Sequence, residues 1–377
     1  MTVAVGRNPT LADWRSMQDP DGNQAAVIEM LERSDPIHMD IPWMEGNLPN
    51  GLTTTVRTGI PRGTWRLFNQ GIQPVKAARA SMTVTTGMYE ALNEVDKSLA
   101  DLGGMTSALR GDEASATMQG MTQDMADALM YSDEASNPQQ FMGLSPFYST
   151  LDTDESPNAE NIIDAGGRNA NKQQSIWLIG WGPMAITGVV PQGSMAGLNF
   201  EDMGVQTSET APDAAGNNTG KMQVYRAWFK WHAGLAVRDW RYAVRIANCG
   251  QTSSSDTSTV LTKGAFEDPT LMGHRGDASA VSGARIPPAV RKSDMYAFPD
   301  LLNRAVDLIP MAGEARLVFY MKRDALSLLR TVLTRQVGVP TLTWEKLANN
   351  RIVYSYMGIP IRVMDALRSS EAEITAS

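Results

Sequence analysis

The sequence predicts an α+β protein, and three patterns carry that reading. Residues 300–364 alternate helix-like and strand-like segments; residues 53–85 and 175–246 are rich in β-branched and aromatic residues broken by glycine and proline; residues 88–129 carry an apolar stripe spaced by threes and fours.

Taken in order, residues 1–50 mix short helical patches such as 24–31 with Pro9, Pro20, Pro36, Pro42 and Pro49, which suits an arm lying over other surfaces. Residues 51–87 then read as a two-stranded excursion. The segments 53–58 and 80–85 are β-formers, and Gly59, Pro61, Gly63 and Gly71 mark turns between them. Its ionisable side chains are Arg57, Arg62, Arg66, Lys76 and Arg79, with no acid, and it has too few apolar residues for a core of its own.

The charge reverses in residues 88–134, where ten acidic side chains face only Lys97 and Arg110. Met88, Leu92, Val95, Leu99 and Leu102 predict a short amphipathic helix, and after Gly103-Gly104 the stripe Met118, Met121, Met125 and Leu129 predicts a longer one. A basic hairpin beside an acidic helix admits two readings. Either the hairpin packs on its own helix, or it docks on the equivalent surface of another copy.

A turn at 137–140 leads into the apolar 141–144, and a polar stretch spans 152–174. Residues 175–181 and 185–190 predict two strands around Gly182-Pro183, and 222–232 and 235–246 a second pair around Ala233-Gly234. Residues 249–290, rich in Ser, Thr, Gly and Asp, predict a surface loop or insertion. The chain then predicts helix 300–309, strand 315–320, helix 322–337 and strands 351–356 and 359–364, with Ala325, Leu328, Leu329 and Leu333 facing inward from the second helix.

With 377 residues the chain is long enough for an ample core and for two or three domains. A net charge of −8 argues against sequence-independent nucleic-acid binding over the whole surface, while leaving room for a local basic patch. Cys249 is the single cysteine, so no internal disulfide framework or thiolate zinc cluster is expected, and the chain suits a reducing cytosol. The N-terminus lacks the layout of a secretion signal, and the most apolar stretch, 176–190, is too short to span a bilayer.

Chemistry-bearing constellations are nearly missing. His38, His232 and His274 sit at no ligand spacing from one another, which leaves metal and triad templates without material. The segment 216–222 is one residue short of a phosphate loop and has Met222 where a hydroxyl should bind magnesium. The acidic turn 152–155 lacks the glycine and bidentate glutamate of a calcium loop. Arg-Gly-Asp at 110–112 and 275–277 is a three-residue match expected by chance. Trp177, Trp181, Trp228, Trp231 and Trp240 suit core or interface anchors better than a ligand cage. No catalytic residue, cofactor or metal is expected, and an enzyme with an α/β substrate domain is the weakest reading.

Several separate motifs occur in one order: Thr64-Trp65-Arg66-Leu67, Asn69-Gln70-Gly71-Ile72-Gln73-Pro74, the turn Phe141-Met142-Gly143-Leu144, residues 161–167, Ser175-Ile176-Trp177-Leu178, residues 234–242 and the closing 356–362. Together they resemble a tailed-bacteriophage major capsid protein of the Hong Kong 97-type fold, and in detail the epsilon-15-type podophage capsid family, over about residues 50–368.

The resemblance implies an N-terminal arm at 1–50, an E-loop at 51–87 and a P-domain at 88–250 with a spine helix about 107–131 and a strand-rich motif at 175–246. It further implies a surface loop or insertion at 251–293, an A-domain at 294–357, and a return strand and tail at 358–377. Because the strand-rich motif precedes the A-domain here, a rearranged chain order with the same spatial architecture is expected. The implied function is a coat protein whose pentamers and hexamers close into an icosahedral shell around double-stranded DNA, with an encapsulin-like compartment as the alternative. The implied intersubunit contacts are Arg57, Arg62, Arg66 and Arg79 against acidic groups such as Glu113, Asp124 and Asp127 of an adjacent copy. No long charged helix precedes the arm, so a separate scaffolding protein is expected, with a portal and a decoration protein as further partners and assembly in the host bacterial cytoplasm. Lys76 is the one lysine of the E-loop, and nothing else identifies an isopeptide partner for it.

Overall fold

The computed structural model describes residues 35–102, 106–211, 220–250, 298–310, 315–335, 342–346 and 352–375. The strands are β1 (Trp43–Glu45), β2 (Gly51–Gly59), β3 (Ala78–Thr85), β4 (Gly87–Asp96), β5 (Ile162–Asp164), β6 (Ile176–Trp181), β7 (Ile186–Val190), β8 (Asn199–Ala211), β9 (Gly220–Val237), β10 (Ala243–Ala247), β11 (Arg316–Met321), β12 (Leu342–Lys346), β13 (Ile352–Tyr356) and β14 (Ile359–Val363). The longer helices are α1 (Thr106–Tyr131), α2 (Phe298–Leu308) and α3 (Arg323–Arg335). Hydrogen bonding runs β12-β13-β14-β11-β6-β7-β9-β4, with β8 on β9, β10 on β6, β5 on β10 and β1 on β7; β2 and β3 form a hairpin of their own.

The period-2 pattern of the central strands explains how one sheet serves two cores. On β6, Trp177, Ile179 and Trp181 point to the side of α1, where Met121, Met125 and Leu129 meet them. Ile176 and Leu178 point to the other side, against Leu301, Leu302 and Ala305 of α2 and Ala325 and Leu329 of α3. On β11, Val318 and Tyr320 join the first core and Phe319 and Met321 the second. Strands covered on both faces read as unbroken apolar runs, as these do.

The segment at 88–102 corrects the sequence expectation. Residues 87–96 are a strand, β4, paired with β9 from Gly87↔Ala233 to Asp96↔Val224, and only Lys97–Ala100 make a helical turn. A spacing of four preserves the face of a strand as well as of a helix. Met88 and Leu92 accordingly lie on the outward face, 73% and 51% exposed, while Val95 on the other face is buried. Ten residues of ladder pairing outweigh a weak helical pattern.

A second correction concerns Ala233-Gly234, which does not end a strand. β9 runs through both residues, pairing Val189↔Gly234 with β7. A Cβ at Gly234 would lie 2.7 Å from the Thr85 carbonyl oxygen, so this glycine permits close backbone approach where the hairpin joins the sheet. Strands β8 and β12 were not foreseen. Cys249 begins no surface loop; it is fully buried in the second core. The expected loop from 251 onward, the side chain of Leu333, His274 and the Gly103-Gly104 break lie outside the described residues.

Candidate intersubunit surface

In the hairpin, β2 and β3 pair from Gly51↔Thr85 to Gly59↔Ala78, with an irregularity between Arg57 and Gly59. Near its root, Leu52 and Val84 pack with Val189 and Ala236 in a small core. Beyond, the burial pattern along both strands is mostly exposed. Arg57 stands directly opposite Arg79 in the ladder. Like charges facing each other across a hairpin are destabilising unless something negative is brought between them.

Residues 60–77 form the tip. Leu67 N–H donates to Gln70 Oε1 at 3.1 Å and Arg66 Nη1 to the Gln70 carbonyl at 3.2 Å, closing a turn in which Asn69 has φ of +67°. That conformation suits asparagine better than most residues. Trp65 and Phe68 are each 100% exposed, and Ile60, Leu67, Ile72 and Val75 are exposed with them. Trp65 and Phe68 pack on none of the described residues. Contiguous apolar side chains left in water mark an interaction surface.

The acidic partners expected from sequence lie on α1. Asp124 is exposed and accepts the Tyr89 hydroxyl hydrogen at 2.5 Å. Burial first, then that carboxylate, pushes the Tyr89 phenol up to about 12. Asp124 and Asp127 line a cleft of about 310 Å3 with Met88, Tyr89, Gln140 and Phe141. Glu113 sits eleven residues earlier on the helix, ~16 Å away along its axis, and belongs to a different part of the surface. Among the described residues, no ion pair joins Arg57, Arg62, Arg66 or Arg79 to these acids. The hairpin meets the acidic segment at its root, where the Thr85 hydroxyl donates to Glu134 Oε2 at 2.8 Å. The sequence reading had missed the apolar tip as a contact surface, although six large apolar residues in a segment with neither strand nor helix periodicity were the available signal.

The frame behind this surface is tied down by buried polar groups. Asp40, 4% exposed in its side chain, accepts from Arg316 Nη2 at 2.7 Å and from the Tyr320 hydroxyl at 3.0 Å, pinning residues 35–45 onto the sheet. At the other terminus, Glu371 receives Arg245 Nη2 at 2.8 Å and the Tyr131 hydroxyl at 2.6 Å, joining tail, sheet and the end of α1.

Elsewhere the structure offers little chemistry. Among the described residues no group of three His, Cys, Asp or Glu could hold a metal, and no helix is long and apolar enough to cross a membrane. His38 packs edge-on to Trp231, and His232 lies 3.5 Å from Glu90. The 152–155 segment is an ordinary turn, with Asp154 N–H on Asp152 Oδ1 at 2.9 Å. Arg110 pairs with Asp202 at 2.6 Å instead of presenting an adhesion motif. Residues 216–219 of the 216–222 segment resembling a phosphate loop, and the second Arg-Gly-Asp, lie outside the described residues.

A spine-like helix beneath a sheet, a separate projecting hairpin, and residues 35–45 and 371 tied to the sheet agree with the Hong Kong 97-type fold of phage capsid proteins. The model of the family described as Major capsid protein GP7 matches residues 19–265 and 287–375, and the chain belongs to that family. It is a coat protein of an icosahedral shell and a component of the virion capsid. It is similar to a chain of the bacteriophage Epsilon15 structure, with 26% identity, a TM-score of 0.69 and 100% of each chain covered. Weaker likenesses are to the bacteriophage JBD30 capsid, at 8% identity, TM-score 0.42, and 90% and 93% of the two chains covered, and to an encapsulin of Synechococcus elongatus PCC 7942, at 9%, 0.38, 66% and 95%. Family membership sets aside the encapsulin-like alternative. No curated protein sequence matched.

Proposed function

We propose that the hairpin 51–87 is the E-loop by which each coat subunit engages its neighbour, and that the resulting pentamers and hexamers enclose double-stranded DNA. The observation that carries this reading is the hairpin itself, which holds five cations, no acid and, beyond a root packed on Val189 and Ala236, a tip whose Trp65 and Phe68 are wholly exposed. Arg57, Arg62, Arg66 and Arg79 then meet acids of the adjacent copy, with Glu113, Asp124 and Asp127 as the candidate partners. Each exposed pair contributes only about 0–1 kcal/mol, but repeated at every subunit such pairs set register.

In this reading 1–50 is the arm, α1 the spine of the P-domain at 88–250, and 294–357 the A-domain. A net charge of −8 suits a container whose wall does not hold phosphate tightly. A separate scaffolding protein guides closure in the host cytoplasm, and portal and decoration proteins complete the particle. The test is negative-stain microscopy of the chain, co-expressed with its scaffold, with and without reversal of Arg57, Arg62, Arg66 and Arg79 to Glu. Closed shells or capsomer rings are expected from the wild type and folded, unassembled subunits from the variant. Shells from the reversed variant would remove the hairpin's charge from the assembly contact.

A further inference from the structure

Strand alternation splits the hairpin into two faces. Thr54, Val56, Met82 and Val84 lie on one, while Thr53, Thr55 and Arg57 of β2 lie on the other, opposite Thr83, Ser81 and Arg79 of β3. That second face is a row of hydroxyls ending in two guanidiniums, and five of its six side chains are exposed. We propose that the Arg57–Arg79 pair is a binding site for a tetrahedral oxyanion, the phosphate dianion, held between the two guanidiniums beside the Thr55 hydroxyl. The site belongs to the single subunit and does not rest on the coat-protein reading.

A hollow of about 230 Å3 lies on this face, lined by Thr55, Arg57 and Arg79. Arg57 and Arg79 are direct cross-strand partners. Side chains so placed start about 5 Å apart at Cβ, near enough for both to close on one ion. Among the described residues neither arginine is in an ion pair, and the segment 51–87 holds no acid. The ladder keeps register as far as Arg57↔Arg79 and loses it immediately past this pair, before Gly59↔Ala78. An anion between the guanidiniums turns their repulsion into a bridge across the hairpin.

The donors select the ion. Each guanidinium presents a planar fork of N–H groups that matches two oxygens. A carboxylate or a phosphodiester has two free oxygens and fills one fork, whereas the phosphate dianion, free or as the end group of a phosphomonoester, has enough to meet both forks and the hydroxyl. The other cations of the hairpin are placed differently. Arg66 is held on the Gln70 carbonyl, and Lys76 does not line the hollow.

Titrating inorganic phosphate into the unassembled full chain, in chloride buffer of constant ionic strength, tests this by phosphorus NMR line broadening. Saturable broadening is expected, reversed by sulfate and unmoved by acetate at the same concentration. Arg57→Gln and Arg79→Gln should each weaken binding about tenfold or more, the loss of one charge-assisted contact. Lys76→Gln should leave it within about twofold, because an exposed charge outside the hollow is screened. All three side chains are exposed and outside the two cores, so the variants retain the fold. A nucleoside monophosphate that binds more tightly than inorganic phosphate makes a phosphomonoester the source of the group; one that binds no better leaves the free ion. Broadening that does not saturate, that acetate reverses equally, or that Lys76→Gln weakens as much as the arginine changes reports a diffuse positive field and overturns the site. Tighter binding of an oligodeoxynucleotide without a terminal phosphate overturns it too, by making the hairpin a contact for nucleic-acid backbone. Since the chain is unassembled throughout, either failure leaves the coat-protein reading standing.

Discussion

At Glu371 a single carboxylate holds three parts of the chain. It takes a hydrogen bond from Tyr131 on α1, another from Ser175 before β6, and an ion pair from Arg245 on β10, while its backbone pairs with Gln173 in both directions. Both charged side chains are about 5% exposed, at 6% for Glu371 and 5% for Arg245. Removing one partner of such a pair strands the other. Glu371→Ala is expected to destabilise the unassembled chain by about 3–5 kcal/mol in urea unfolding, whereas the joint replacement Arg245→Met with Glu371→Leu should recover most of that loss. His38 adds a pH dependence. Burial lowers its pKa below 6.5, against the opposing pull of Asp35 and Asp40. The unfolded chain then binds the proton more readily than the folded one, so stability is full above about 6.5 and falls as pH drops from there to the lowered folded value. His38→Gln should flatten the melting temperature between pH 7.5 and pH 5; an unchanged slope would assign the pH dependence to other groups.

At the scale of elements, glycines separate tight contacts from open surface. Gly234→Ala forces a Cβ toward the Thr85 carbonyl and is expected to lower stability by about 1–3 kcal/mol, read as a lower melting temperature. Gly120 on α1 has nothing within 4 Å of its would-be Cβ, and Gly120→Ala should raise stability by about 0.5–1 kcal/mol. The same contrast shows what the sequence made legible. Met121, Met125 and Leu129 and the helix-strand series after 298 could be read because their apolar period is set by burial on a known face, and the hairpin because its β-formers are broken by glycine and proline. β4 could not, since Met88 and Leu92 are outward residues whose spacing fits both a strand and a helix, and only the pairing with β9 decides. β8 was hidden because its polar, glycine-bearing sequence owes its strand state to that same partner. The basic residues of the candidate site were visible as a charge block, but the cleft was not, because Met88, Asp124, Phe141 and Arg368 meet only in the folded chain.

For the whole molecule, the division of labour between folding and assembly is itself testable. Residues 60–77 make no contact that holds the two cores together; the tip side chains are exposed, and the small root core uses Leu52 and Val84 instead. The pairing Gly59↔Ala78 leaves the strand ends adjacent, as a two-residue hairpin turn requires. Replacing 60–77 with Asn-Gly should therefore leave the urea midpoint of the isolated chain within about 0.5 kcal/mol of the wild type, because shortening a loop that packs on nothing changes little beyond closure entropy. The same chain should fail to build shells, since the apolar anchor and two of the four arginines are gone while Arg57 and Arg79 still repel across the shortened ladder. Analytical ultracentrifugation beside the unfolding curve separates the possibilities. A folded, unassembled subunit places the tip at the contact between copies, whereas a chain that unfolds early gives the tip a role in the fold. Shells of normal yield would move the assembly contact elsewhere, to the strapped termini or to the outward face of β4 and β9.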